Sequence, residues 1–283
     1  MHKQQFAQQM EYLKNTYNVV SLPVMLKEIF WERKTPHKQV AITFDDGYAN
    51  NYSVAYPILK AMSLPATFFI TTSFIEQPNN SLWFNSIYDA IHCFSGAELN
   101  LMEIGLGIIN VKTDEDKSAA ISMIKERLKK TDPRKRKNMV DMIFDTVRKN
   151  DCIKVLSPGM SWTQIEEIAS DPLMTIGGHS HTHDLLDDLT EDQAWEEIIT
   201  NKRLLESHIG KEIETFSYPN GNWNPTVSSL LERAGYNFAL TTQEGFVGAN
   251  PVALERFTVR NPSTSYSFMA LVSGVILLGK RII

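Results

Sequence analysis

The chain predicts an α/β protein built on a buried parallel sheet, and three observations lead there. Residues 40–44, 66–70 and 174–178 are apolar or small without alternation, the pattern of strands covered on both faces. Helical stretches separate these runs, as parallel pairing requires. Finally, the polar residues that stand out each follow the end of a strand: Asp45 and Asp46, His179 and His183, and Pro219 to Gly221. In parallel α/β folds that edge of the sheet is where chemistry collects.

The elements follow in order. Phe6, Met10, Leu13 and Tyr17 recur at helical intervals. Residues 19–21 read as a short strand, and 22–31 as a helix with Leu22, Met25, Leu26, Ile29 and Phe30 on one side. The strand at 40–44 ends at the Asp pair, 52–62 returns as a helix, and 66–70 is the next strand. From Trp83 to Pro158 the alternation breaks into charged, helical sequence, with helices over 114–130 and 134–149 parted by Asp132-Pro133. The run Arg134-Lys135-Arg136-Lys137 reads as a solvated helix face. Ser161-Trp162-Thr163-Gln164 is a capping box that opens a helix through Ala169. The strand 174–178 runs into the histidines, and Thr190-Glu191-Asp192-Gln193 opens another helix through about Ile209. Residues 214–218 form a strand stopped by Pro219-Asn220-Gly221, and 225–235 a helix closed by a glycine. Residues 236–241 and 254–259 are the last strands. The expected organisation is one domain over 1–283, with a helical insertion at about 84–158 and an apolar tail at 268–283.

Composition narrows the function. With 283 residues, 43% hydrophobic and 22% charged, the chain can bury a core without staples. A net charge of −5 offers no global field for nucleic acid. Cys93 and Cys152 read as two inert thiols. No apolar run reaches the roughly 18 residues of a membrane span. The start is polar and lacks the apolar region of a signal peptide, so a cytoplasmic location is the expectation. The tail from Phe268 is expected to dock on the core; peripheral membrane contact, with Lys280 and Arg281 near lipid phosphates, is the alternative.

Three groups of residues carry chemistry. His179 and His183, four apart, share a face on a helical turn and offer neutral nitrogens suited to zinc, cobalt, nickel or iron. His181, between them, should point elsewhere, while Ser180 or Thr182 can support the ligands or their loop. Asp45-Asp46-Gly47 places adjacent carboxylates that point in different directions, so one can bind a cation while the other takes a proton. Pro219-Asn220-Gly221 fixes a tight loop that can aim a backbone N–H, such as that of Asn220, at a developing oxyanion. Each group alone reads more plainly: surface histidines, an acidic helix cap, a turn. Together they supply the parts for hydrolysis by a metal-activated water.

These residues resemble the polysaccharide deacetylases that share the NodB homology domain, carbohydrate esterase family 4. Thr43-Phe44-Asp45-Asp46-Gly47 is similar to that family's first motif, His179-Ser180-x-x-His183 to its second, and Phe216-Ser217-Tyr218-Pro219-Asn220-Gly221 to a variant of its third. Ala55-Tyr56-Pro57-Ile58-Leu59-Lys60 and Leu64 to Ile70 resemble its framework, and the likeness spans about residues 6–262. It implies a distorted (β/α) barrel with fewer than eight strands. The strand that usually precedes the first helix is not found, which implies an incomplete barrel or a truncated chain. It also implies removal of N-acetyl, or sometimes O-acetyl, groups from an acetylated glycan. Asp46, His179 and His183 would bind a divalent metal, zinc first, with cobalt or nickel as alternatives. Asp45 would be the general base, and Asn220 would supply the oxyanion N–H.

Two departures stand out. Ser217 sits where many members carry an arginine that orients the catalytic aspartate, and Arg256 or Arg260 is the expected substitute. No histidine follows His208, so the family's late general acid has no counterpart. Pro219, Trp223 and Arg256 are the expected substrate contacts, with Trp83, Phe84 and Trp162 as further aromatic candidates. The alternatives are hydrolysis of another non-peptide amide, such as a cyclic ureide or imide, and a degenerate relative that binds glycan or scaffolds an assembly.

Overall fold

The computed structural model describes residues 2–34, 37–76, 81–148, 155–259 and 264–273. In chain order the elements are α1 (Lys3–Thr16), β1 (Asn18–Val19), α2 (Leu22–Phe30), β2 (Gln39–Val40), β3 (Ile42–Phe44), α3 (Tyr56–Met62), β4 (Ala66–Ile70) and α4 (Thr72–Glu76). There follow α5 (Trp83–Cys93), β5 (Glu98–Leu101), β6 (Gly107–Asn110), α6 (Asp114–Lys129) and α7 (Pro133–Arg148). The chain continues with α8 (Trp162–Ser170), β7 (Met174–Gly178), α9 (Glu191–Ile209), β8 (Thr215–Ser217), α10 (Pro225–Arg233), β9 (Phe238–Leu240) and α11 (Ser265–Val272). The chain forms two compact units: residues 1–76 with 160–283, and residues 77–159.

The first unit is built on a five-stranded sheet in the order β3-β4-β7-β8-β9, parallel at every pairing. β3 and β9 lie at opposite edges, so the barrel is a half-barrel rather than a closed ring. The expected distorted, incomplete α/β barrel is the observed fold. β4 is buried along its whole length, as its unbroken apolar sequence predicts. Phe68, Ile70, Ile176, Phe216 and Ala239 from the strands pack with Leu59, Ile165, Ile198 and Leu231 from the helices in one core. The capping boxes at Ser161 and Thr190 both form, with reciprocal bonds to Gln164 and Gln193. Phe268 of α11 is buried in the same core and meets Tyr12 edge-on at 6.1 Å, so the start of the tail docks; residues 274–283 lie outside the described residues. Among the described residues no helix is long and apolar enough to cross a membrane.

Four expectations change. The strand at 40–44 switches partners: β2 pairs with β1, and β3 with β4. The helix at 52–62 opens with a π-helical turn, Asn51–Ala55, and Tyr56 N–H reaches back to Asn51 O. Pro57 has no N–H and its ring crowds the carbonyl four residues back, and the widened turn relieves both. The strand at 254–259 reduces to a single bridge between Leu240 and Leu254; Arg256 N–H turns to Gln243 O instead. The histidine segment is a loop, not a helical turn.

The second unit has its own core, with Ile87, Ile91, Leu99, Val111, Ile124, Leu128 and Ile143 at its centre. Besides helices it contains β5 and β6, an antiparallel pair absent from the sequence reading. The basic run on α7 is not wholly solvated. Arg136 is buried, gives Nε to Leu128 O at 3.0 Å and Nη2 to Thr131 O at 3.2 Å, and lies 5.0 Å from the Trp83 ring. Leu128 O already accepts from Thr131 N–H at 3.1 Å, so the buried guanidinium adds a donor at the end of α6 and one for Thr131 O beyond it.

Candidate active site

All three motifs converge at the C-terminal edge of the parallel sheet. β3 delivers Asp45 and Asp46, β7 delivers the histidine loop, and β8 delivers Ser217 and the turn Pro219–Gly221. The backbone there is unusual. Seven non-glycine residues have positive φ among those described, and four belong to the motifs: Asp46 (75°), Ser180 (58°), His183 (63°) and Asn220 (56°). Each such residue costs on the order of 1–3 kcal/mol, and clustering of that strain marks functional sites.

Asp46 turns away from its neighbour through that left-handed conformation. Its Oδ1 lies 3.2 Å from Nε2 of His179 and 3.2 Å from Nε2 of His183. The two imidazoles meet nearly edge to face, with centroids 4.9 Å apart. His179 Nδ1 donates to Ser217 O at 2.6 Å, which fixes the ring orientation and turns Nε2 toward Asp46. The three ligand atoms all lie within 4.8 Å of one another. Ligands of a tetrahedral ion at about 2.0–2.1 Å sit roughly 3.3 Å apart, so one carboxylate and two imidazoles fit a divalent cation such as zinc. Burial pushes the Asp46 carboxyl up, but the hydrogen bonds and charges of both histidines outweigh it and hold the group well below the usual carboxylate range. Burial lowers the basicity of His179, and Asp46 and Asp45 reverse that to a net rise.

Asp45 faces a different partner. Arg256 Nη1 donates to its Oδ1 at 2.9 Å, and Nη2 donates to Oδ2, a two-pronged ion pair. The guanidinium is itself fixed: Nε donates to Thr241 O at 2.8 Å, Nη1 to Thr43 Oγ1 at 3.2 Å and Nη2 to Ser217 Oγ at 2.9 Å. Burial raises the Asp45 pKa, while the charge and hydrogen bonds of Arg256 bring it below its ordinary value. Arg256, expected both as a substrate contact and as the substitute orienting arginine, gives its guanidinium to Asp45. Arg260 lies outside the described residues.

The histidine loop is gripped on several sides. Ser180 Oγ accepts from His183 N–H at 3.0 Å, and Thr71 Oγ1 donates to His179 O at 3.0 Å. Ser73 N–H donates to His181 O at 2.9 Å. His181 itself lies outside the ligand cluster, with Nδ1 2.9 Å from Thr72 Oγ1. From α9, Asn201 Nδ2 donates to Ser180 O at 2.6 Å and to Ile70 O at 2.9 Å. Glu197 accepts from Thr182 N–H at 2.8 Å and Oγ1 at 2.7 Å. Hydrogen bonds to charged groups contribute about 1.5–3 kcal/mol each, enough collectively to offset two strained residues. The glycines before His179 are steric necessities. A Cβ at Gly177 would enter the Phe69 ring, and one at Gly178 would strike Tyr236 Oη and come within 2.7 Å of Asn201 Oδ1.

Asn220 stands exposed at the turn after β8, with its carbonyl accepting from Thr242 Oγ1 at 2.9 Å. Pro219 beside it is buried, and Trp223 is half-buried against Tyr218, centroids 6.4 Å apart. The other aromatic candidates have local partners: Trp83 lies under Arg136, Phe84 is 5.8 Å from Lys125 Nζ, and Trp162 stacks on His208 at 3.9 Å. Sequence reasoning missed Glu197 and Asn201, which act from a helix far along the chain.

A model of the polysaccharide deacetylases matches residues 32–239, most of the chain. The chain belongs to the polysaccharide deacetylase family. The expected class, a hydrolase of non-peptide carbon–nitrogen bonds, stands with that family. This family member is 22% identical over 276 residues to YxkH of Bacillus subtilis, a protein assigned as a polysaccharide deacetylase, covering 96% of this chain and 70% of that one. It is 34% identical over 65 residues to the poly-beta-1,6-N-acetyl-D-glucosamine N-deacetylase of Escherichia coli, a stretch covering 23% of this chain and 10% of that protein. Its fold is similar to that of the Streptococcus pyogenes deacetylase PplD solved with acetate, with a TM-score of 0.62 at 18% identity over 95% of this chain and 86% of that one.

Proposed function

We propose that the chain hydrolyses N-acetyl groups, or O-acetyl groups, on a glycan at a divalent cation held by Asp46, His179 and His183, with Asp45 as general base. The observation that carries this reading is the separation of adjacent carboxylates: Asp46 faces two imidazole nitrogens, and Asp45 faces a guanidinium. A bound zinc, cobalt or nickel ion supplies Lewis acidity, lowering the pKa of water and polarising the acetyl carbonyl.

The residues divide the remaining work. Asp45, held ionised by Arg256, accepts the proton of the attacking water. Arg256 fixes the direction of that carboxylate, so its role in this reading is positioning rather than substrate contact. The Asn220 N–H, at the exposed turn, donates to the carbonyl oxygen as negative charge develops there. No histidine follows His208, so the reading returns the proton from Asp45 to the leaving nitrogen. Trp223, half-buried beside that turn, meets the sugar, and buried Pro219 shapes the turn that presents it. Residues 77–159 are an insertion within one deacetylase domain.

The test is acetate release from N-acetylglucosamine oligomers by metal-loaded protein, wild type beside Asp45→Asn. Release by the wild type and its loss in the variant supports the reading. Equal release by both rejects Asp45 as the base, and release from small cyclic imides alone replaces the glycan with another amide.

A further inference from the structure

The histidine loop's own sequence supplies one bond between its two left-handed residues, His183 N–H to Ser180 Oγ, and further bonds from outside the loop hold it with both imidazoles on Asp46. Several of those come from α9. Glu197 and Asn201 are four residues apart and share one face of that helix. Asn201 holds the loop at Ser180 O, directly after the first histidine. Glu197 holds it at Thr182 by two hydrogen bonds to one carboxylate, directly before the second. Thr182 Oγ1 also lies 3.0 Å from Asp184 Oδ2, so that hydroxyl sits between two acids, Glu197 from α9 and Asp184 from the loop itself.

We infer that Glu197 is a positioning residue for the metal ligands, holding Thr182 so that His183 Nε2 and His179 Nε2 converge on Asp46. The inference rests on the metal reading above. Glu197 acts through Thr182, accepting from the backbone N–H of the residue that precedes His183. Removing it frees the stretch just before His183 while leaving Thr71, Asn201 and Ser73 to hold the loop at His179, Ser180 and His181. The fold should therefore survive, and ligand convergence should not. Partners behind metal ligands typically change metal affinity by about 10-fold to 100-fold when removed.

The experiment measures zinc affinity by competition with a chromogenic chelator, and melting of the metal-free chain, for wild type, Glu197→Ala, Glu197→Gln, Glu197→Asp and Thr182→Val. Glu197→Ala is expected to weaken zinc binding by roughly 10-fold to 100-fold with little change in metal-free melting. Glu197→Gln, whose amide oxygen still accepts from Thr182 N–H, should recover most of the affinity. Thr182→Val, which loses the hydroxyl's contacts to Glu197 and Asp184 but keeps the backbone bond to Glu197, should show a smaller weakening. Wild-type zinc affinity in Glu197→Ala overturns the inference while leaving the metal reading intact. If Glu197→Ala does not fold, Glu197→Asp, whose carboxylate is one methylene short of Thr182 N–H, decides: weakened binding supports the inference, and unchanged binding overturns it. A wild type that takes up no zinc overturns the metal reading and this inference with it.

Discussion

The ends of β3 and β7 solve the same problem in different ways. Each must deliver polar side chains from a buried strand into one small volume. At the β3 end the solution is electrostatic and made by one distant residue: Arg256 clamps Asp45, while the left-handed backbone at Asp46 sends its neighbour the other way. At the β7 end the solution is distributed. Four side chains from three segments, Thr71, Ser180, Glu197 and Asn201, hold a loop that carries two ligands. The difference suits the roles we propose. A base needs its charge and direction set, which one guanidinium can do. A ligand pair needs its spacing set, which takes several anchors.

The sharpest way to break this contrast is at Asp45. Asp45→Asn should lower turnover by about 100-fold to 10,000-fold, the range that general-base groups contribute, while the variant keeps its metal. Loss of metal together with activity would merge the two ends into one unit. Arg256→Ala should come next, lowering kcat by about 10-fold to 100-fold through a misdirected base and leaving zinc affinity unchanged. A fall in zinc affinity equal to that of Glu197→Ala would contradict the division.

How much of this was legible depends on the distance over which each residue acts. The residues we propose as ligands and base sit in short motifs at strand ends, where spacing and chemistry speak directly, as with Asp45-Asp46-Gly47 and His179-x-x-x-His183. Arg256 was legible only through the family resemblance, which implies an arginine where Ser217 stands and left Arg256 or Arg260 as the substitute. The small Ser217 side chain is what Arg256 Nη2 bonds. Glu197 and Asn201 were not legible, because on α9 they look like ordinary polar helix positions until the loop is folded against them. The helical spacing of the histidines misled in detail: His183 reaches Asp46 through a loop with positive φ, not through a helical turn. In the second unit, Arg136 looked solvated because its neighbours are; only the carbonyls at the end of α6 draw it inward.

Smaller effects refine the comparison. Gly178→Ala, which forces a methyl group against Tyr236 Oη and Asn201 Oδ1, should destabilise the protein by about 1–3 kcal/mol and weaken zinc binding as Asn201 shifts. Thermal melts with and without zinc would register both. Ser217→Ala removes one hydrogen bond from Arg256 Nη2 and should cost only about 0.5–1.5 kcal/mol of transition-state stabilisation, read as a several-fold drop in kcat/KM with zinc affinity intact.

The most direct measurement is metal content per chain after reconstitution with zinc, for wild type, Asp45→Asn and the His179→Ala/His183→Ala double variant. The account predicts about one equivalent in the first two and none tightly held in the third. No bound metal in the wild type, or retention in the double variant, would contradict it.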